Sequence, residues 1–562
     1  MSDIIIVKPE KCTGCNACVR VCPAPEANIT KTLDNNRFIT TVNADKCIAC
    51  GECVKTCQHG ARDYIDDTDA CMTHIEEKRE KMIVLVTPAI KTALPNKWKG
   101  VLDWFKENGC IIFDVSYGAD ICTWAHLKAI EYNKLGATIS QPCAAIVNYI
   151  QKYQPKLLQN LSPIHSPISC EAIYVKKYLH HNNPIIALTP CVAKKVEFGE
   201  TGLIDYNVTF FKLMEYFEKN YILIGNNDPN DYSYDFEVQQ GQMGSVYPRP
   251  GGLKDNLLMR NPELNIVTSE GVHKVYPELD MYAGLADNKR PDVFDVLSCE
   301  YGCNSGPASG TKMTSFDMLA CMKGVEKDVR SKFKTKGVLR TTIDDRLFKK
   351  FDDELDFSNF VRSYKPATPT MMPSEKDLEP IFESMGKHTE AERSYNCHAC
   401  GYVSCRAMAT AIFRGLNTPS NCTIHAKEIL LARHSELAAQ HERLSEITNE
   451  CITLSEQINR DIKEITDSMA AINDSTSKTS KRAAVVNDLL KNVVLFCNNN
   501  STMNSDTVVQ LIKILETTIS AFGALDDNVN TTNSNSEIIS GAIDKINELI
   551  QELDETLHKI RE

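Results

Sequence analysis

Three short apolar runs in the middle of the chain predict buried strands. They cover residues 82–86, 110–115 and 184–188, and two of them run into a Thr-Pro pair. Apolar runs of this length between turn residues are typical of buried strands. Amphipathic stretches such as 171–178 lie between the runs, and this alternation predicts an α/β domain. Sites in such domains gather at the carboxyl ends of the strands, where Cys191 lies.

From about residue 431 onward the pattern becomes helical. No proline follows Pro419, and no glycine lies between Gly415 and Gly523. Apolar residues recur at spacings of seven, four, four and three, which indicates a helix or a coiled-coil seam. The first set is Ile447, Leu454, Ile458, Ile462 and Ile465, and after a polar run at 498–502 the second is Val508, Ile512, Leu515, Ile519 and Phe522. We interpret this tail as two long antiparallel helices that dimerise.

These patterns divide the chain into the segments 1–80, 81–365, 380–430 and 431–562. Residues 363–376 contain three prolines and predict a linker. The 562 residues carry 74 acidic and 62 basic side chains, and this net charge of −12 disfavours nucleic acid or an anionic membrane as the main partner. No run of about 18 apolar residues is present, so we expect no membrane span.

The 23 cysteines change the picture most. The N-terminus shows no export signal, so we expect a cytoplasmic protein of an anaerobe, in which cysteines serve as metal ligands before disulfides. Eight of them form two runs of Cys-x-x-Cys-x-x-Cys-x-x-x-Cys, the spacing of two-cluster bacterial ferredoxins. We assign one 4Fe–4S cluster to Cys12, Cys15, Cys18 and Cys57, and the other to Cys47, Cys50, Cys53 and Cys22. Zinc is a poor alternative, because its sites favour paired cysteines with a long gap.

Three loops of the middle segment bring four more cysteines, which could hold one further cubane. The loops are Ser140-Gln-Pro-Cys143, Thr189-Pro-Cys191-Val-Ala-Lys194-Lys195-Val-Glu197 and Leu297-Ser-Cys299-Glu-Tyr-Gly302-Cys303-Asn-Ser-Gly306. The two lysines bring positive charge towards anionic ligands, and the glycines permit close backbone approach to a bulky cofactor.

With these loops, about residues 1–310 resemble the iron-only, or FeFe, hydrogenases. The resemblance implies that Cys143, Cys191, Cys299 and Cys303 bind the 4Fe–4S part of the H-cluster. It also implies that Cys303 bridges to a two-iron subsite with carbonyl, cyanide and azadithiolate ligands, which separate maturation proteins build. Lys194 falls on the lysine that hydrogen-bonds an iron-bound cyanide, and Glu197 on the glutamate of the second loop. The substrates implied are H2 and protons.

Several positions depart from the catalytic members of that family. Pro142 replaces the cysteine that delivers protons, and two methionines near the subsite become Thr189 and Leu297. Of the proton route, Ser162 keeps the serine position. The glutamates of that route fall on His126 and Ala129. These departures resemble the sensory-type branch of the family; a degenerate homologue without the two-iron subsite is the alternative.

The last cysteine group resembles the small four-cysteine Fe–S domain of Rnf-type electron-transfer subunits. It consists of Cys397, Cys400, Cys405 and Cys422. Zinc remains the alternative, since spacing alone does not exclude it. We expect the remaining seven cysteines to pack as small apolar side chains. They are Cys71, Cys110, Cys122, Cys170, Cys321, Cys451 and Cys497.

The helical tail resembles chemoreceptor signalling helices only in a general way. His434 and His441 lie on a predicted helix, but no ATP-binding kinase domain follows, so a phosphoacceptor is disfavoured. An output bundle that acts on a separate signalling protein is favoured over a plain dimerisation stalk.

The predicted fold class is multidomain α/β: a ferredoxin-like α+β domain, an α/β H-cluster domain, a four-cysteine Fe–S domain and a coiled-coil tail. Three functions compete. The first is a sensory-type hydrogenase that binds or slowly oxidises hydrogen and relays the redox change to the tail. The second is a metabolic hydrogenase that exchanges electrons with ferredoxin, and the third is an Fe–S electron carrier without the two-iron subsite.

Overall fold

The computed structural model describes residues 4–33, 37–77, 81–133, 137–140, 142–238, 240–333, 346–366, 373–499 and 505–561. The chain forms two compact units, Met1–Ala426 and Lys427–Glu562. Gln141 of the first cysteine loop, residues 367–372 of the expected linker and residues 500–502 of the polar run lie outside the described residues.

Residues 4–77, called the N-terminal domain from here on, form two small antiparallel sheets. Their elements are β1 (Ile5–Val7), α1 (Ala17–Arg20), β2 (Asn28–Thr32), β3 (Phe38–Val42), α2 (Glu52–Thr56), β4 (Arg62–Tyr64) and α3 (Thr68–Glu76). Strand β1 pairs with β4, and β2 pairs with β3. The two cysteine runs lie in the loops before and within α1 and α2, so the strands hold these loops on one scaffold.

Residues 81–366 contain two parallel sheets with helices packed around them. The strands are β5 (Ile83–Val86), β6 (Ile111–Asp114), β7 (Thr138–Ile139), β8 (Ile185–Thr189), β9 (Tyr206–Thr209), β10 (Ile266–Glu270), β11 (Val293–Leu297) and β12 (Glu300–Cys303). One sheet has the order β6-β5-β8-β9 and the other β10-β11-β7, and every pair in both is parallel. The three predicted strands are therefore neighbours in one sheet.

The helices of this region connect the strands. They are α4 (Ile90–Ala93), α5 (Trp98–Glu107), α6 (Val115–Asn133), α7 (Ala144–Tyr153), α8 (Pro167–Lys177), α9 (Lys194–Thr201), α10 (Phe210–Lys219), α11 (Gly252–Leu258), α12 (Val272–Ala283), α13 (Ser315–Lys332) and α14 (Arg346–Glu354). The amphipathic character predicted for 171–178 is wrong, because all of Ile168–Val175 is buried. Helix α6 covers α8 so closely that a Cβ at Gly118 would lie 2.4 Å from the Pro167 carbonyl oxygen.

Residues 375–424, called the four-cysteine domain from here on, contain three short helices. They are α15 (Glu375–Ser384), α16 (Glu390–Arg393) and α17 (Cys405–Phe413). Leu378 and Phe382 of α15 belong to the same buried cluster as Met408 of α17, so the packed domain begins before residue 380. Arg414 forms an ion pair with Glu26 of the N-terminal domain at 2.5 Å.

The tail consists of α18 (Thr423–Asn499) and α19 (Ser505–Arg561). Within the second unit the two helices are antiparallel, since Ser480 donates to Asp526 at 2.8 Å and Ser536 contacts the Met469 sulfur at 3.9 Å. The inward face of α18 differs from the predicted seam. It is a seven-residue repeat of mostly small or polar side chains: Thr448, Ser455, Ile462, Met469, Thr476 and Ala483.

The large apolar residues of α18 mostly point outward. Ile447, Leu454, Ile458 and Ile465 are 49, 59, 38 and 48 % exposed, whereas Ile462 is 8 % exposed. The five residues predicted for α19, from Val508 to Phe522, are all half-buried in the hairpin. The hairpin thus buries one apolar row and leaves another in solvent.

Helix α19 also meets the requirements of length and composition for crossing a membrane, against our expectation. Within Val508–Leu553, a window of 18 residues reaches a mean hydropathy of 1.5. Lys513 and Glu516 lie in the most apolar part of this stretch, and charged groups at the centre of a bilayer are costly. Their presence favours a helix packed against protein.

Candidate functional site

Three of the four cysteines of the middle segment follow the carboxyl ends of parallel strands, and the fourth ends β12, the short strand after β11. Cys143 follows β7 and precedes α7, and Cys191 follows β8. Cys299 connects β11 to β12, and Cys303 is the last residue of β12. The two sheets therefore present all four thiols to one place, as predicted for Cys191 from the strand pattern.

The four thiols line one cavity of ≈90 Å³. Apart from Lys194, the walls are chiefly apolar, small or proline side chains. They include Pro88, Ala89, Val115, Ala119, Pro167 and Ile168. Gly302 and Gly306 line the cavity too. A Cβ at Gly302 would lie 2.1 Å from the Pro248 carbonyl oxygen, and a Cβ at Gly306 would lie 2.4 Å from the Pro190 carbonyl oxygen. Glycine is needed at both positions to bring these loops together.

The thiols are close enough to influence one another. Burial raises the pKa of the Cys191 thiol to about 11 and that of Cys303 to about 12, and the neighbouring thiols add to both rises. The pKa of Cys299 is raised well above its ordinary value by burial and then by the other three thiols. Such thiols ionise when a metal cluster compensates the charge, because metals bind the thiolate form.

Lys194 is the cation of the cavity, and its position is fixed by two polar side chains. Its Nζ donates to Glu197 Oε2 at 2.6 Å, to Ser166 Oγ at 2.8 Å and, more weakly, to the Pro142 carbonyl at 3.4 Å. Burial opposes ionisation of Glu197, but Lys194 and then Arg362 outweigh it and lower the pKa of this carboxyl to about 2. Sequence reasoning missed Ser166, although the Ser-Pro pair marks a helix start.

The three substituted positions of the loops all reach the same cavity. Pro142, Thr189 and Leu297 each form part of its wall. The Thr189 hydroxyl donates to Asn207 Oδ1 at 2.8 Å, which turns its proton away from the cavity. None of the three side chains offers the cavity a titratable proton.

Behind the cavity, the predicted proton-route positions form a buried contact. The ring Nε2 of His126 lies 3.0 Å from Ser162 Oγ, and its Nδ1 lies 2.8 Å from the Cys122 carbonyl. A carbonyl only accepts, so Nδ1 carries a proton and neutral Nε2 accepts from Ser162. Burial lowers the pKa of His126, but the adjacent Cys122 sulfur outweighs this and raises it. Ala129 is buried and has no polar group.

In the N-terminal domain, the thiols group as the repeat predicts. The thiols of Cys18, Cys12 and Cys15 are electrostatic neighbours, and so are those of Cys50, Cys22, Cys47 and Cys53. Cys57 follows α2 directly. The thiols of each predicted set are therefore neighbours, apart from Cys57, which neither set of electrostatic neighbours includes.

Sequence reasoning missed Arg62, a buried cation between the two cysteine groups. It is 5 % exposed, and its Nη2 donates to Cys18 Sγ at 3.2 Å and to the Thr40 carbonyl at 3.0 Å. The thiols of Cys18 and Cys53 raise its pKa although burial opposes them. Arg62 is the first residue of β4, and nothing in the neighbouring sequence indicates that its side chain is buried beside the cysteines.

The second cysteine run packs against the cavity loops. A Cβ at Gly51 would lie 2.9 Å from Pro307 and 3.2 Å from Val192, so glycine permits this approach. Tyr276 is fully buried and donates to Ser298 Oγ at 2.9 Å, with the thiols of Cys50 and Cys143 as its electrostatic neighbours. The two cysteine sites are therefore separated by packed protein.

The four-cysteine domain encloses a smaller cavity of ≈10 Å³, lined by Cys397, Cys400, Cys405 and Cys422. Cys397 is exposed and the other three are buried. Among the described residues, no three His, Cys, Asp or Glu side chains converge as ligands of a single ion.

The remaining cysteines follow the prediction only in part. Cys71, Cys110, Cys122, Cys170 and Cys321 are buried, and Cys451 is half-buried. The side chain of Cys497 lies outside the described residues. Cys122 is more than a small apolar side chain, because its sulfur lies 3.6 Å from His126 Nδ1 and 3.4 Å from the His165 carbonyl.

Three family models match this chain. Residues 80–307 match the C-terminal domain of the iron-only hydrogenase large subunit, and residues 4–58 match a 4Fe–4S dicluster domain. Residues 394–424 match a model described as an Fe–S cluster. Residues 80–307 are a domain of the iron-only hydrogenase family. The four thiols and the lysine of the cavity all lie within these residues.

Solved FeFe hydrogenases are similar to this chain over about half its length. The structure of HydA(deltaEFG), described for stepwise H-cluster assembly, is 14 % identical, covers 54 % of this chain and 100 % of its own, and has a TM-score of 0.39. A variant of HydA1 from Chlamydomonas reinhardtii is 14 % identical, covers 54 % and 99 %, and has a TM-score of 0.38. No match was found among the curated proteins.

The cavity fits the cofactor of this family. The cavity offers four thiols for a cubane. It also extends to other wall residues, and the Lys194 ammonium lies at its edge. At Gly302 and Gly306, the absence of a side chain lets the loops of the cavity wall pack closely together. The chain therefore supports 4Fe–4S clusters and an H-cluster.

Proposed function

We propose that this protein is a sensory-type FeFe hydrogenase, which binds or slowly oxidises hydrogen and passes the redox change through its Fe–S clusters to the helical tail. One observation carries the proposal. The cavity keeps four cysteines and Lys194, but Pro142 occupies the place of the proton donor. A missing acid or base removes a contribution of about 10²–10⁴ in rate and leaves ligand binding intact.

When bound, the two-iron subsite supplies the iron at which hydrogen is bound and split. The chain's own residues hold and orient it. Cys303 and its three partners supply thiolates, and Lys194 supplies N–H donors at the edge of the cavity. The 3.4 Å contact to the Pro142 carbonyl is the longest of the three that Lys194 makes, so Lys194 would give up this contact most readily to donate to a group held in the cavity.

The metabolic alternative has one observation in its favour. His126 and Ser162 remain in contact at 3.0 Å, and a serine–histidine pair can accept and release a proton. In this alternative the protein exchanges electrons with a ferredoxin, and a water molecule supplies what Pro142 lacks. The third function, an Fe–S carrier without the subsite, leaves the spare volume of the cavity unexplained.

We also propose that the tail dimerises in the cytoplasm and acts on a signalling protein. The outward apolar row of α18 supports a second copy as its cover, since exposed apolar rows on long helices are typical of coiled-coil interfaces. The variant Ile458→Asp is expected to convert a dimer to a monomer in sedimentation, whereas Gln457→Asp at the neighbouring polar position leaves it a dimer. A monomeric wild type contradicts this proposal.

The deciding experiment combines infrared spectra with hydrogen turnover on one anaerobic sample loaded with the two-iron subsite. Carbonyl and cyanide bands that shift under hydrogen, with turnover well below that of a relay-competent hydrogenase, support the sensory function. The same bands with fast turnover support the metabolic alternative. Absence of bands after loading leaves the electron carrier.

A further inference from the structure

The four-cysteine domain is hydrogen-bonded directly to the N-terminal domain. Asn16 Nδ2 donates to Asn421 Oδ1 at 2.9 Å, and both residues are 6 % exposed. The Thr30 N–H donates to the Leu416 carbonyl at 2.8 Å. A buried amide costs free energy unless it is hydrogen-bonded, so these contacts fix one relative position of the two domains.

The backbones of the two domains also approach each other closely at a glycine. Gly401 has φ +91°, and a Cβ there would lie 2.9 Å from the Val19 Cβ and 3.0 Å from the Asn16 oxygen. Gly415 of the same domain has φ +69° and no neighbour within 4 Å of such a Cβ. The two glycines share the backbone requirement, and only Gly401 has the contact.

This approach brings the two cysteine sets into one packed core. Val19 and the adjacent Cys18 belong to the same apolar cluster as Cys400. Tyr402 is 4 % exposed, and burial raises its pKa to about 12, with further increases from the thiols of Cys400 and Cys22. The buried Tyr402 side chain is therefore an electrostatic neighbour of a thiol in each domain.

We propose that the Val19–Gly401 contact is an electron-transfer contact, through which the four-cysteine domain receives electrons from the N-terminal domain. One electron crosses at a time. The centre at Cys12, Cys15, Cys18 and Cys57 is oxidised by one electron as the centre at Cys397, Cys400, Cys405 and Cys422 is reduced by one, and no bond or proton changes place. The inference rests on the proposed function for the source of electrons in the cell.

Because Cys422 immediately precedes α18, the four-cysteine centre is the cluster site nearest to the tail in the sequence. Cys422 ends a short turn at Pro419–Asn421 and immediately precedes α18, and its carbonyl accepts from the Ala426 N–H. The charge of the centre therefore changes directly at the first turn of α18, where the partial positive charge of the helix lies.

The test is electron paramagnetic resonance of the full chain, reconstituted with Fe–S clusters, without the two-iron subsite and reduced with dithionite. We expect the signal of the four-cysteine centre to be split in the presence of the first N-terminal centre and unsplit in its absence. The first is the wild-type spectrum minus that of Cys405→Ser, which lacks the four-cysteine centre. The second is the spectrum of Cys15→Ser, which lacks the first N-terminal centre, minus that of Cys15→Ser/Cys405→Ser, and the spectra are additive when the two differences are equal. An additive spectrum overturns the inference, and so does an unchanged spectrum of Cys405→Ser.

The matched glycines locate the contact. Gly401→Val is expected to abolish the splitting at unchanged iron content, whereas Gly415→Val keeps it. Splitting that survives in Gly401→Val contradicts the role of this contact; if that variant does not fold, the additivity test on Cys405→Ser still decides.

Dithionite separates this inference from the proposed function. If the paramagnetic resonance spectrum is split and the infrared bands of the loaded protein do not shift under hydrogen, the sensory and metabolic functions are wrong and the electron-transfer contact is supported. Bands that shift under hydrogen together with additive spectra keep the proposed function and overturn the contact.

Discussion

Cys143, Cys191, Cys299 and Cys303 surround a cavity of ≈90 Å³, whereas Cys397, Cys400, Cys405 and Cys422 share one of ≈10 Å³. Both sites offer four thiols from loops and helix ends. The larger one adds an ammonium that is held by a carboxylate and a hydroxyl. The smaller one has no room beyond its cysteines and presents Cys397 to solvent.

The difference teaches that cysteine spacing identifies a cluster site and that the wall of the site determines its chemistry. A quartet with no spare volume can only pass electrons. A quartet with spare volume and a fixed cation can bind a further group, and the groups beside it decide whether protons follow.

Serine substitutions give the largest contrast between the two quartets. We expect Cys303→Ser to lose every carbonyl and cyanide band after loading, because this thiolate joins the two parts of the cofactor. Cys405→Ser should retain the bands and lose only one cluster's worth of iron. Infrared spectra and iron analysis of both variants measure this, and retained bands in Cys303→Ser would contradict the assignment.

Removing the cation of the larger cavity should destabilise the fold. Lys194→Met leaves the Glu197 carboxylate buried without its partner, at a cost of about 3–5 kcal/mol. The double variant Lys194→Met/Glu197→Gln should recover most of this loss, because the charge is removed too. Urea unfolding of the protein without cofactor measures both, and a double variant as unstable as the single one would rule out the charge as the cause.

The same pair predicts how stability depends on pH. The pKa of Glu197 lies at about 2 in the folded chain, below about 4.3 in the unfolded chain, so ionised Glu197 contributes about 3 kcal/mol above pH 4.3. This contribution falls as the pH drops from about 4.3 towards 2. Unfolding of the wild type and of Glu197→Gln across this window should converge at the acid end.

Introducing a proton donor into the wall of the cavity should increase the rate of hydrogen turnover. Pro142→Cys is expected to raise hydrogen turnover by about 10²-fold, since it places a titratable group in the wall of the cavity. Thr189→Cys, which also reaches the cavity but follows a different strand, serves as the control. No gain in Pro142→Cys would show that another step limits the rate.

Variants of the buried serine–histidine pair should have the smallest effect. If His126 and Ser162 pass the same proton, His126→Phe and Ser162→Ala each slow turnover by up to about 10²-fold, and the double variant is no slower than either. Multiplied effects in the double variant would mean that the two residues act separately.

The sequence predicts the local part of this structure well. The eight-cysteine repeat, the strand end at Cys191 and the loops with Cys143, Cys299 and Cys303 are features of short range, where spacing and apolar runs are informative. The three predicted strands indeed lie side by side in one parallel sheet.

The contacts between distant segments could not be predicted in this way. Ser166 holds Lys194, and Arg62 reaches Cys18 across 44 positions, and neither partner is marked by its neighbours in the chain. In the tail, α18 carries one row of large apolar side chains and one row of mostly small or polar side chains, and the sequence does not decide which one faces α19. The structure places the row of smaller side chains inside.

The bond between Asn16 and Asn421 joins residues 405 positions apart, and this has a consequence for synthesis. At about 5–20 residues per second, the ribosome needs about 20–80 s to make the second partner after the first. For that time the face of the N-terminal domain with Asn16, Val19 and Thr30 remains uncovered on the nascent chain. Iron and sulfide can therefore reach Cys18 from this side before the four-cysteine domain emerges and packs against it.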